Sequence, residues 1–71
     1  MITLDTIQKR LSEEIERSNL SRATIASRIN VCHQTVSHYV KGDKMPALDT
    51  FANLCIVLDV DPAYILGIKN D

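Results

Sequence analysis

The 71 residues predict an all-α protein, a compact bundle of five helices. Three observations carry that reading. Apolar residues recur at helical steps of three and four in successive segments. Hydrophobic residues make up 45% of the chain but aromatics only 4%, an aliphatic balance that suits packed helices better than an aromatic-rich sandwich. Two glycines and two prolines leave little material for long loops. The length predicts a single domain over residues 1–71. A chain this short buries only about 60% of its unfolded surface, so the core must be small.

The first helix is expected over about residues 4–18. Leu4, Ile7, Leu11 and Ile15 share one face, Thr3 suits the N-cap, and Asp5 suits the positive end of the helix dipole. The second is expected over about 22–29, with Ser21 as cap and Ile25, Ala26 and Ile29 on its inner side. Asn30 breaks it, because asparagine enters the left-handed backbone region at low cost. The third helix, about 33–40, has a thin apolar face at Val36 with Tyr39 or Val40. Its other side carries His33, Gln34, Ser37 and His38, and Gly42 suits a left-handed C-cap. The fourth, about 47–58, is apolar nearly all round, which predicts a central position or pairing with another subunit. Asp61-Pro62 reads as an N-cap with proline at the first helical position, opening a short fifth helix over about 62–66.

Helices two and three carry the functional signal. Two short helices joined by a turn of about three residues make a helix-turn-helix. Such a turn needs a left-handed residue, here Asn30. The close crossing needs a small residue facing the next helix, here Ala26. Apolar contacts are needed on both sides, here Ile25, Ile29, Val31 and Val36. All occur at compatible spacing.

Charge supports the same segment. The net charge is −1, an unusual balance for a nucleic-acid binder. Residues 1–21 carry −1, residues 22–44 carry +3 and residues 45–71 carry −3. The basic third contains Arg22, Arg28, Lys41 and Lys44 against Asp43 alone, and both histidines.

Residues 21–66 resemble the lambda-repressor-like family of helix-turn-helix proteins, the Cro and repressor type. The matching string is Ser21-Arg22-Ala23-Thr24-Ile25-Ala26, then Ile29-Asn30-Val31, Thr35-Val36-Ser37 and Lys41-Gly42. It continues through Met45-Pro46, the run Leu48 to Leu58, and Val60-Asp61. Two positions depart from the family pattern. Arg22 stands where glutamine is common, and Cys32 stands where serine or threonine caps the third helix. Arginine keeps a phosphate contact as a stronger cation, whereas cysteine is a weaker cap.

The resemblance implies a transcriptional regulator that reads the DNA major groove with its third helix. Carried over, His33, Gln34 and His38 face base edges, with Ser37 beside them. Gln34 suits adenine N6 and N7, and imidazole suits guanine N7. Arg22, Thr24, Lys41 and Lys44 would hold phosphates, together with helix N-terminal amides; Arg28 is a weaker candidate. So small a unit makes few phosphate contacts, so a homodimer on a palindromic site is expected. Phe51, Ile56, Val57, Tyr64 and Ile65 are where its interface is to be sought. The small size and the pattern suggest a phage or mobile-element genetic switch. An alternative of another class is a modulator, or antirepressor, that binds a partner repressor protein. The acidic last third favours it.

Other classes find no support. No nucleophile–base arrangement or phosphate-binding glycine loop points to an enzyme, and Glu13, Glu14 and Glu16 read as a solvated helix face. His33 and His38 lie five apart with no further ligands, so neither metal nor cofactor is expected, and no small-molecule substrate. Cys32 and Cys55 make no disulfide framework, which fits a reducing bacterial cytoplasm. No stretch reaches the roughly 20 apolar residues of a membrane span, and Met1 to Asp5 show no secretory leader.

Overall fold

The computed structural model describes residues 1–70. Over these residues the chain is all-helical. The helices are α1 (Leu4–Arg17), α2 (Arg22–Ile29), α3 (His33–Lys41), α4 (Leu48–Leu58) and α5 (Pro62–Ile65). No helix is long and apolar enough to cross a membrane.

α1, α2 and α5 begin at a side-chain cap, whereas α3 and α4 begin without one. Thr3 Oγ1 accepts from the Thr6 N–H at 3.3 Å, Ser21 Oγ from the Thr24 N–H at 3.1 Å, and Asp61 Oδ1 from the Ala63 N–H at 2.9 Å. The α1 chain turns extended at Ser18 (ψ 153°), whose hydroxyl donates back to the Ile15 carbonyl. α2 stops at Asn30, which is left-handed (φ 61°, ψ 46°) and returns its N–H to the carbonyls of Ala26 and Ser27. α3 runs through Lys41 and stops at left-handed Gly42 (φ 93°). α4 ends at left-handed Asp59 (φ 55°). Leu66 is the C-cap of α5, its N–H bonded to Pro62 O.

The core is one cluster fed by every helix. Leu11 and Ile15 come from α1, Ile25, Ala26 and Ile29 from α2, and Val36 and Tyr39 from α3. Phe51, Leu54 and Cys55 come from α4, and Ile65 from α5. α3 packs on both α1 and α2, α4 packs on α2, and α5 packs on α1. α3 therefore has its inner side fully engaged and its outer side free.

The C-terminal end of α3 is also fixed by polar contacts. Gln8 Nε2 donates to the carbonyls of Tyr39 (3.3 Å) and Val40 (3.2 Å), and Ser12 Oγ donates to Val40 O (3.0 Å). These are among the last-turn carbonyls that a helix leaves without partners of its own. A Cβ on Gly42 would lie 2.8 Å from Gln8 Cδ, so this junction has no room for a side chain.

The apolar surplus of the last two helices is distributed differently from the sequence expectation. Phe51 and Ile65 are core residues, 9% and 0% exposed, and Val57 and Tyr64 are half-buried. They are spent inside the molecule because α4 and α5 close the bundle. Of the five, Ile56 is exposed, at 76%. Leu48 (86%) and Ala52 join it at steps of four along the outer side of α4. Leu4, also exposed, lies beside Leu48 along a shallow apolar groove that includes Ile7, Phe51 and Leu66.

Candidate nucleic-acid interface

The four residues picked as base readers all lie on the side of α3 away from its buried pair, Val36 and Tyr39. His33 and Gln34 are exposed in the first turn, and Ser37 and His38 are half-buried one turn later. Positions separated by four along a helix share a face, so His33 pairs with Ser37 and Gln34 with His38. An α-helix with its side chains is about 10–12 Å across, which matches a major groove about 12 Å wide.

The N-terminus of α3 is open. Cys32 occupies the N-cap with no side-chain bond to the backbone. Its Sγ instead lies 3.1 Å from Thr35 Oγ1, and that contact holds the thiol below its ordinary value. The Thr35 N–H donates to the Cys32 carbonyl at 3.0 Å, and the N–H groups of His33 and Gln34 are not occupied by a capping side chain; such amides are natural phosphate ligands.

Arg22 is tied on two sides. Its Nη2 donates to Glu16 Oε1 at 2.6 Å and its Nη1 to Ser37 Oγ at 3.3 Å. One guanidinium thus links α1, α2 and α3, and two of its five N–H donors are already used by the protein. Thr24 belongs to the α2 cap: its Oγ1 accepts from the Ser21 hydroxyl at 2.9 Å. Lys41 and Lys44 are exposed, as is Arg28 on α2. Among the described residues these three cations form no ion pair. His38 Nδ1 lies 2.9 Å from Asp43 Oδ1, just past the end of α3. That hydrogen bond holds the Asp43 carboxyl below the usual carboxylate range.

Sequence reading missed Glu16 and Asp43 as parts of this surface. Glu16 lies on α1, and its approach to Arg22 crosses a turn, so no helical spacing announces it. Asp43 did leave a signal, as the single acid of the basic third, five residues beyond His38 and one past the Gly42 cap. Among the described residues no group of three histidines, cysteines or carboxylates is placed to hold a metal.

The helix-turn-helix family model matches residues 11–65, from the core leucine of α1 to the core isoleucine of α5. No curated protein and no solved structure matches the chain.

Proposed function

Because the chain belongs to the helix-turn-helix family of the lambda-repressor, Cro and repressor type, whose members are DNA-binding regulators, we propose that it regulates transcription by laying α3 in the major groove of a specific operator. His33, Gln34, Ser37 and His38 contact base edges. Arg22, Thr24, Lys41 and Lys44, with the open amides of α3, hold the flanking phosphates. The observation that carries this reading is the outer side of α3. It is polar, its first turn is uncapped and exposed, and its inner side and C-terminal carbonyls are held by α1 and α2. A helix so fixed presents its side chains at a defined angle, which base readout requires.

The working form is a homodimer on a palindrome, in a phage or mobile-element switch acting in a bacterial cytoplasm. The longest dimension of the fold is 32 Å, close to the roughly 34 Å between major grooves one turn apart. The exposed row Leu48, Ala52 and Ile56 supplies an apolar face for a second copy. A second reading has its own support. Asp49 and Asp59 flank that row and are exposed, so two copies meeting there bring like charges together. A basic partner such as another repressor's DNA-binding surface is the better electrostatic match for it.

Salt titration on a duplex selected from a randomised pool tests the first reading. The affinity falls with salt, with a log–log slope of about −0.9 for each phosphate neutralised. Binding no tighter than about micromolar at low salt, for every duplex in the pool, contradicts it. In the second reading, the chain alone sediments as a monomer and Ile56→Glu abolishes capture of the partner repressor while leaving the fold intact.

A further inference from the structure

The pair formed by His38 and Asp43 bears on what kind of base the chain reads. His38 sits on the groove-facing side of α3, and Asp43 sits in the segment that leaves it. The carboxyl oxygen and the ring Nδ1 are 2.9 Å apart. Both side chains are about half exposed, 46% and 57%. An exposed carboxylate is ionised at neutral pH and can only accept a hydrogen bond. The bond is therefore made only if Nδ1 carries the hydrogen. A neutral imidazole has one N–H, so its Nε2 is then a bare acceptor. The two ring nitrogens point in opposite directions, so engaging Nδ1 leaves Nε2 for the partner.

We propose that Asp43 is a positioning residue for base readout: by accepting from His38 Nδ1 it fixes the ring so that Nε2 accepts from an exocyclic amino group, adenine N6 or cytosine N4, rather than donating to guanine N7. This rests on the DNA-reading function proposed above and goes beyond it by setting the chemistry of one contact. The ordinary expectation for a groove-facing histidine is a donor to guanine. Here the local geometry reverses the role. Among the described residues Lys41, on the same helix as His38, also acts on the carboxylate and stabilises its ionised form. The pair needs no outside partner to form, so the tautomer is set before DNA arrives and the contact costs less ordering on binding.

The test uses the full chain and two variants, Asp43→Ala and Asp43→Asn, with folding checked by circular dichroism. Long-range proton–nitrogen spectra at about pH 8, above the ordinary histidine value, read the tautomer in the absence of DNA. The wild type shows a protonated Nδ1 and a bare Nε2 at His38. Asp43→Ala loses that bias, and Asp43→Asn weakens it, because an amide can accept from Nδ1 through its oxygen or donate to it through its nitrogen. Selection from a randomised duplex pool then reads the consequence. At that pH the wild type prefers adenine or cytosine at one position of each half-site. Asp43→Ala loses that preference by about five-fold, the size of one neutral hydrogen bond. A wild-type His38 protonated at Nε2 overturns the proposal. So does an unchanged base preference in Asp43→Ala, or a preference lost by Asp43→Asn while its His38 Nδ1 stays protonated, which marks a charge effect alone. Failure of every duplex to bind overturns the DNA-reading function instead, and the nitrogen spectra still judge the pair.

Discussion

Arg22 stands at the first position of α2, where the family pattern expects a phosphate ligand, yet its guanidinium already serves Glu16 and Ser37. The ion pair is exposed on both sides, 39% and 55%, so its contribution to stability is small. Its effect on binding is larger, because a phosphate must compete with Glu16 for the same donors. Glu16→Gln is therefore expected to bind selected duplexes several-fold more tightly, with a salt slope steeper by about one contact. A titration of wild type and variant on the same duplex checks this, and an unchanged slope shows that Arg22 does not reach the backbone. The cysteines separate by the same residue-level logic. Cys32 is exposed and its thiol is lowered by Thr35, whereas Cys55 is buried and burial pushes its thiol up. Thiol-specific reagents should modify Cys32 rapidly in the native protein and Cys55 only on unfolding. Equal rates would mean that α4 is not packed as described.

Helix boundaries were legible because capping is local. Thr3, Ser21, Asn30, Gly42 and Asp61 each act on residues within a few positions, and each does in the fold what its residue type favours. Asp59, left-handed at the end of α4, carries no such flag, since aspartate is equally at home in an extended N-cap. The links that fix α3, Gln8 to Tyr39 and Val40 and Ser12 to Val40, span about 30 residues of sequence and leave no periodic trace. The same holds for Glu16 with Arg22: pairing across a turn depends on the crossing angle, not on spacing. Two substitutions probe these junctions. Asn30→Val places a β-branched residue at φ 61° and should cost about 1–2 kcal/mol, whereas Asn30→Gly should be nearly neutral. Gly42→Ala meets both φ 93° and the Gln8 side chain, and should lower the denaturation midpoint and loosen α3. Chemical denaturation measures both. The α5 cap sets a pH limit. Asp61 is held below the usual carboxylate range, first by the Ala63 N–H and then by Lys69. Its lowered value means that its stabilising contribution is fully present above about pH 4 and is lost as pH falls through that lowered value. Stability followed by acid titration should begin to lose this contribution only below about pH 4; Asp61→Ala and Asp61→Asn should both lack that acid-dependent part, with Asp61→Asn the more stable at neutral pH because its amide oxygen still caps.

At the scale of the whole molecule, a core of eleven buried side chains serves a surface split by charge. A chain this size has a total stability of only about 4–10 kcal/mol, so Leu54→Ala, which empties a fully buried site at a cost of about 2–5 kcal/mol, should remove about half of it and lower the denaturation midpoint accordingly. The basic third was legible by counting, but not which of its charges are free. Arg22 is paired with Glu16, whereas Lys41, Lys44 and Arg28 are left to act outward. The apolar excess of α4 and α5 was legible too, but only the folded bundle shows that Phe51 and Ile65 close the core while Leu48 and Ile56 remain outside. The central claim is that α3 reads bases while the surrounding cations supply salt-dependent affinity. Replacing His33 and Gln34 together with alanine separates the two, because both are exposed and neither supports the fold. On a duplex selected by the wild type, the double variant should keep its helicity and its salt slope and lose about 10- to 100-fold of its preference over a scrambled duplex. An unchanged preference would contradict the assignment of α3 as the reading helix.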